Sequence, residues 1–298
     1  MTLTTSFKSY AFRNFHNQFS TLTRIIRKLP ISASKMTNVH GICAIFFDLD
    51  NTLIQTRKGD EKACDKLTEL LKKQYSLPQE TAAQICKNYL KMFRKCPDNC
   101  SMSLHEWRQI LWRKALGDNY QHLSNVIYFQ WLELRYKYLS LTTDIRNMLL
   151  SLGKKYILVL ITNGTSNAQW EKIDKLNIRP FFEHIVVSGD HPWEKPHPQI
   201  FREACHAVGV GPHQVIMVGD KLETDILGGV NSKLAANIWT PLEGQLLQDE
   251  GPVPDFTLGH VTELLFLIPK IANGIRSRLD MLQLSDFEDG NSNSSDGS

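Results

Sequence analysis

No run of about 18 apolar residues occurs anywhere in the chain, so nothing in it reads as a membrane-spanning helix. Net charge is only +3, with 34 Lys and Arg against 31 Asp and Glu, too small an excess to argue for a nucleic-acid partner. Cysteine is sparse. The six residues at 43, 64, 86, 96, 100 and 205 lack the rhythm of a disulfide framework, and Cys43 falls inside an apolar run, so reduced thiols are expected. Cys96, Cys100 and His105 have no fourth partner at zinc-site spacing and are read as unrelated to metal. Internal repeats are absent.

Acidic residues are missing from positions 1–47, where Lys8, Arg13, Arg24, Arg27, Lys28 and Lys35 stand among many Ser and Thr. Residues 1–40 therefore read as an extension, either like a mitochondrial transit segment or a basic tail with Met36 as an alternative start. No clear cleavage signal follows. The expected compartment is the cytosol, with the mitochondrion as the alternative. At the other end, 273–298 closes in a Ser/Asn/Asp/Gly-rich stretch expected to be disordered.

What is present is concentrated at Ala44–Leu53, where an apolar run drives into Asp48-Leu49-Asp50-Asn51-Thr52. Strand alternation would put Asp48 and Asp50 on one face. Like charges so placed repel unless a cation or a proton intervenes. The bland alternative is a buried strand ending in an acidic turn. A second apolar run, Tyr156–Ile161, ends in Thr162-Asn163-Gly164; Glu194-Lys195-Pro196 follows, and Val215–Val218 leads into Gly219-Asp220 with Asp225 five residues on.

Between the first two runs lies about a hundred residues, far more than a parallel crossover needs. Its periodicity predicts helices over 60–75, 79–95, 103–117 and 124–139, separated by turn signals near Pro78, Pro97 and Gly117. After it, helix and strand alternate: helix 142–152, strand 156–161, helix 166–177, strand 184–188, helix 198–208, strand 215–218, helix 223–231 and strand 235–239. That pattern predicts a parallel sheet wrapped by helices, with reactive residues at the carboxyl ends of strands.

The four signatures, in this order and at these separations, resemble the haloacid dehalogenase superfamily of aspartate-nucleophile phosphatases. The resemblance spans about 42–271 and implies a Rossmann-like three-layer α/β/α core at 41–58 and 141–272, with a helical cap, 59–140, inserted after the first strand. It implies Asp48 as nucleophile, forming an aspartyl-phosphate, and Asp50 as the proton carrier. It further implies phosphate binding by Thr162, Lys195 and the backbone N–H groups of Leu49 and Asn163. The cofactor implied is Mg²⁺, held by Asp48, the Asp50 carbonyl and Asp220, with Asp225 either touching the metal through water or orienting Asp220 and Lys195. An aspartate at position 50 favours a leaving group that needs a proton, so phosphomonoester hydrolysis over dehalogenation.

Further stretches, Gln169–Ile173, Met217–Gly229 and Phe129–Leu141, resemble the branch of this superfamily that acts on phosphorylated sialic acids. The substrate implied is a small phosphosugar bearing a carboxylate far from its phosphate. Such a group calls for a cation, preferably arginine, and Arg135 or Arg94 is the expected provider, with Arg57 and Lys58 as loop alternatives. Other readings are a broad sugar-phosphate or nucleotide phosphatase, a phosphosugar mutase, and a silent binding module that keeps the fold.

Overall fold

The computed structural model describes residues 41–94, 102–247 and 250–271. The N-terminal extension, Cys96, Cys100 and the tail 273–298 lie outside the described residues.

The chain forms a three-layer α/β/α fold around one parallel sheet of six strands. In chain order these are β1 (Ala44–Phe47), β2 (Ile157–Thr162), β3 (His184–Val187), β4 (Val215–Gly219), β5 (Ala236–Trp239) and β6 (Phe256–Thr257), laid out spatially as β3-β2-β1-β4-β5-β6. The first strand is central. Phe47 pairs with Leu160 on one side and Val218 on the other, and all four of its residues are buried. Burial on both faces explains why the central strands read as continuous apolar runs rather than as alternation. Ile45 and Phe47 face the helix Thr143–Leu152 through Met148 and Leu149, while Ala44 and Phe46 face the helix Pro198–Val208 through Ile200 and Phe201.

Strand order reverses between β1 and β4: the chain builds outward through β2 and β3, then returns to lay β4, β5 and β6 on the opposite flank. Open α/β sheets form their ligand crevice at such a switch point, outside the carboxyl ends of the strands. Asp48, Thr162 and Asp220 lie there, at or just past the ends of β1, β2 and β4.

Between β1 and the helix Thr143–Leu152 that leads into β2 lie four helices of an insert: α1 (Thr56–Tyr75), α2 (Gln79–Phe93), α3 (Leu104–Tyr120) and α4 (Ser124–Leu139). They bury an apolar cluster of their own, centred on Tyr89, Trp112 and Trp131, with the Tyr89 and Trp112 rings stacked 3.8 Å apart. Ser103 caps α3 in a reciprocal box with Glu106. The helix expected to stop at Gly117 instead turns there, at φ 64°, and continues to Tyr120.

Three other differences bear on the site. The first strand stops at Phe47, so Asp48 and Asp50 are not alternating strand residues. A tight loop, with Asn51 at φ 64° and Leu49 O accepting from the backbone N–H groups of Leu53 and Ile54, carries Asp50 onward. The helix expected at 223–231 opens as a wide π-turn over Leu222–Ile226 before α-helix resumes at Leu227–Asn231. Such turns recur at functional sites, and this one contains Asp225. Strand β6 is two residues long, too short for periodicity to reveal. Among the described residues no helix is long and apolar enough to cross a membrane, and Cys43, Cys64, Cys86 and Cys205 are buried without forming disulfides.

Candidate active site

Lys195 is the hub. Its ammonium, 1 % exposed, donates to Asp48 Oδ1 at 2.7 Å, Asp225 Oδ1 at 2.7 Å and the Ile161 carbonyl at 2.8 Å, matching its three protons with three acceptors. The peptide at Lys195 is fixed in turn by the Asn163 side chain, which donates to Lys195 O at 2.8 Å and accepts from Lys195 N at 3.0 Å. The sequence segments at 163 and 195 are thus one clamp.

Asp48, Asp220 and Asp225 are all buried, and each brings a carboxylate oxygen within 4.8 Å of the others. Three carboxylates against one ammonium leave two negative charges uncompensated. Burial pushes the Asp48 carboxyl up to about 7 against the pull of Lys195, with Asp225, Asp220 and Asp50 adding to the rise. Asp220 rises to about 6, by burial and then by Asp225. Its Oδ1 is buried and accepts no hydrogen bond among the described residues, although its carbonyl is anchored by the Trp239 indole N–H at 2.8 Å. A dry, orphaned carboxylate oxygen in an anionic crevice fits a hard divalent cation.

Asp225 differs from the other two. Its Oδ1 is taken by Lys195, and its Oδ2 accepts from the Lys221 backbone N–H at 3.0 Å. Both of its oxygens are thus engaged by the protein, one of them by Lys195. The close approach depends on Gly219, where a Cβ would lie 2.3 Å from Asp225 Cγ.

Thr162, fully buried at the end of β2, has a hydroxyl without a partner among the described residues. Leu49 and Asn163 sit in loops directly past β1 and β2, where backbone amides reach an anion.

Asp50 stands apart from the Lys195 cluster. Its Oδ1 accepts from the Thr56 hydroxyl at 2.5 Å and from Lys172 Nζ at 2.7 Å; its Oδ2 accepts from Lys172 Nζ at 2.5 Å and Gln169 Nε2 at 3.1 Å. Burial alone would raise this carboxyl, but Lys172 and the hydrogen bonds from Lys172, Thr56 and Gln169 bring it down to about 2. None of these three partners was assigned a role from sequence. The available signal was the Gln169–Lys172 spacing on a helix that starts just after Thr162-Asn163-Gly164.

The cations expected to meet a substrate carboxylate are placed otherwise. Arg135 is buried in α4, its Nε 2.7 Å from Asp60 Oδ1 and its guanidinium against the Phe93, Trp131 and Tyr136 rings. It is committed to a protein carboxylate because Asp60 sits one turn along α1 on the facing helix. Arg94 lies at the surface, 3.0 Å from Glu61. Lys58 pairs with exposed Glu243 at 2.9 Å, and the Arg57 backbone N–H binds Asn51 Oδ1 at 3.0 Å. Another buried cation that sequence reading missed is Arg108 of α3, whose Nη1 donates to both oxygens of Glu171 at 2.8 and 2.9 Å.

The carboxylate of Asp48, bonded to a buried lysine and with two more acids beside it, stands at the switch point of the sheet. Residues 42–232 match the family model described as haloacid dehalogenase-like hydrolase. The chain is 35% identical over 233 residues to the N-acylneuraminate-9-phosphatase of Rattus norvegicus, covering 76% of this chain and 94% of that one. The Homo sapiens protein of the same name is 34% identical over the same shares. A glyceraldehyde 3-phosphate phosphatase of Pyrococcus abyssi is 35% identical over 64% of this chain and 78% of its own. Among solved structures, magnesium-bound YfnB of Bacillus subtilis superposes with a TM-score of 0.54 at 19% identity, covering 77% of this chain and 99% of that one. A HAD phosphatase of Thermococcus onnurineus gives 0.52 at 20%, over 76% and 97%. The chain belongs to the haloacid dehalogenase-like hydrolase family. Within it, the protein is a phosphoric monoester hydrolase.

Proposed function

We propose that the protein cleaves the 9-phosphate of N-acylneuraminates, with Asp48 accepting the phosphoryl group and Mg²⁺ as cofactor. The similarity that carries this reading is 35% identity over 94% of the rat phosphatase, where a glyceraldehyde 3-phosphate phosphatase that matches as much of both chains is only 28% identical. In this reading the insert serves as a cap that selects the sugar.

The Asp48 carboxylate attacks phosphorus, an Asp48–phosphate bond forms, and the P–O bond to the sugar breaks. The departing alkoxide takes a proton that Asp50 must pick up once the substrate has entered, since before that Lys172, Thr56 and Gln169 hold it ionised. Water then gives a proton back to Asp50 and attacks the phosphorus of phospho-Asp48, releasing phosphate and restoring both carboxyls. Lys195, Thr162 and the amides of Leu49 and Asn163 hold phosphoryl oxygens, and Asn163 and Asp225 keep Lys195 in place. Held by Asp48, Asp220 and the Asp50 carbonyl, Mg²⁺ would supply positive charge against the phosphoryl oxygens.

Purified protein in Mg²⁺ should show a kcat/KM for N-acylneuraminate 9-phosphate at least about tenfold above those for glyceraldehyde 3-phosphate and hexose 6-phosphates, a gap within reach of one or two well-placed contacts. Equal or inverted preference would end the sialic-acid assignment. A requirement for a sugar bisphosphate would point to a mutase, and no turnover on any ester to a binding module.

The acid cluster makes a separate forecast. Asp48 and Asp220 have folded-state values raised above the ordinary 3.8, so their protonated forms are favoured by folding. Their contribution to stability is complete below about 4 and is lost as pH climbs through 6 and 7. Mg²⁺ needs the ionised forms. Thermal melting should therefore show a larger rise in Tm on adding Mg²⁺ at pH 8 than at pH 5.5; equal rises would mean the cation binds elsewhere.

A further inference from the structure

The helix Ser166–Lys175, which follows β2, carries two adjacent charges with different destinations. Lys172 turns toward the catalytic crevice and contacts both oxygens of Asp50, at 2.7 and 2.5 Å. Glu171 turns toward the insert, where Arg108 of α3 donates to both its oxygens and the Tyr136 hydroxyl of α4 donates to Oε1.

Lys172 is buried, with 7 % of its side chain exposed, and Asp50 is its ammonium's partner among the described residues. A buried ammonium is costly unless paired, so this contact accounts for its position. Asp48 and Asp225 are instead bonded to Lys195. The carboxylate of Asp50 is gripped from three directions: by Lys172, by Gln169, which also binds Asn163 O at 2.7 Å, and by Thr56 at the head of α1. Proton transfer demands that the carrier lie within hydrogen-bond reach of first one oxygen and then another, and small misplacements are expensive in rate.

We propose that Lys172 is a positioning residue for Asp50, holding its carboxylate on the leaving oxygen's side while Glu171, clamped by Arg108 and Tyr136, fixes the helix against the insert. The proposal rests on the reading of Asp50 as proton carrier.

Its signature is dependence on the leaving group. An alkoxide cannot leave without the proton from Asp50, whereas 4-nitrophenolate can. In Lys172→Met, steady-state turnover of an alkyl phosphomonoester accepted by the wild type should fall about 10²-fold, the scale of one general acid. With 4-nitrophenyl phosphate the first step should persist while the second, which needs Asp50 as base, slows. Rapid mixing should then show a burst of about one nitrophenolate per site, absent in the wild type, from phospho-Asp48 accumulating. Lys172→Arg, which keeps a cation there, should recover part of the alkyl-ester rate, and it serves as the main variant if Lys172→Met does not fold. Equal losses on both esters without a burst would make Lys172 a merely structural residue, and unchanged rates would remove its role; either overturns the proposal. A wild type inactive on both esters would instead overturn the phosphatase reading itself.

Discussion

Asp48→Asn will lower phosphate release on the order of 10⁴-fold or more, the scale at which removing a covalent nucleophile leaves only binding and electrostatics. The amide keeps the shape of the side chain and its place beside Thr52, but presents no anionic oxygen to phosphorus. Acid-quenched wild type, mixed with substrate, should carry a phosphoryl mass on the peptide containing Asp48, and the variant should not. Stability should move the other way. Burial and three neighbouring acids disfavour the Asp48 anion, raising it to about 7, so at pH 8 the metal-free native state holds an unfavourable charge that asparagine removes. Lys195 still has Asp225 and the Ile161 carbonyl. The metal-free variant should therefore melt no lower than the wild type at pH 8. Turnover within tenfold of wild type would mean that Asp48 is not the nucleophile.

Much of the fold was legible because the buried parallel strands are unbroken apolar runs ended by polar residues, as in the run expected at 215–218 and found at Val215–Gly219. The helices 198–208 and 124–139 stand as the periodicity placed them. Where local pattern failed, a distant contact had set the structure. The first insert helix was expected from 60, yet it starts at Thr56. Gly59 is there for packing: a Cβ would stand 2.6 Å from Leu139 Cδ2 on the neighbouring helix. The π-turn around Asp225 answers to Lys195, thirty residues away in sequence.

The site divides the same way. Asp48, Thr162 and Asp220 each end or follow an apolar run, and with Lys195 they were legible as a set. Lys172 was not, because one lysine among 34 basic residues reads as a solvated helix charge until the fold buries it. Arg135 was visible as a cation, but not its commitment to Asp60 across 75 residues. Arg108 and Glu171, 63 apart, were equally out of reach of any local pattern.

Lys195→Met should be the most damaging single change to the fold, and it should cut activity heavily as well. The ammonium is bonded to Asp48 and Asp225, and its loss leaves those carboxylates buried without their counter-charge, a deficit of about 3–5 kcal/mol when one partner of a buried pair is removed. For a chain of this size that corresponds to roughly 10 °C in Tm. The deficit should shrink at low pH. Asp48 is already raised to about 7 with Lys195 present, and without it the carboxyl takes up its proton more readily, so melting at pH 5.5 should show a smaller gap from wild type than at pH 8. Activity should fall about 10³-fold even where the variant is folded, because a point charge aimed at the phosphoryl oxygens is lost. Lys195→Arg should not restore it, since a planar fork does not fit three acceptors arranged around a single ammonium at 2.7–2.8 Å. A methionine variant that melts with the wild type at pH 8 would show that Asp48 and Asp225 do not depend on this lysine, and the electrostatic account of the crevice would have to be abandoned.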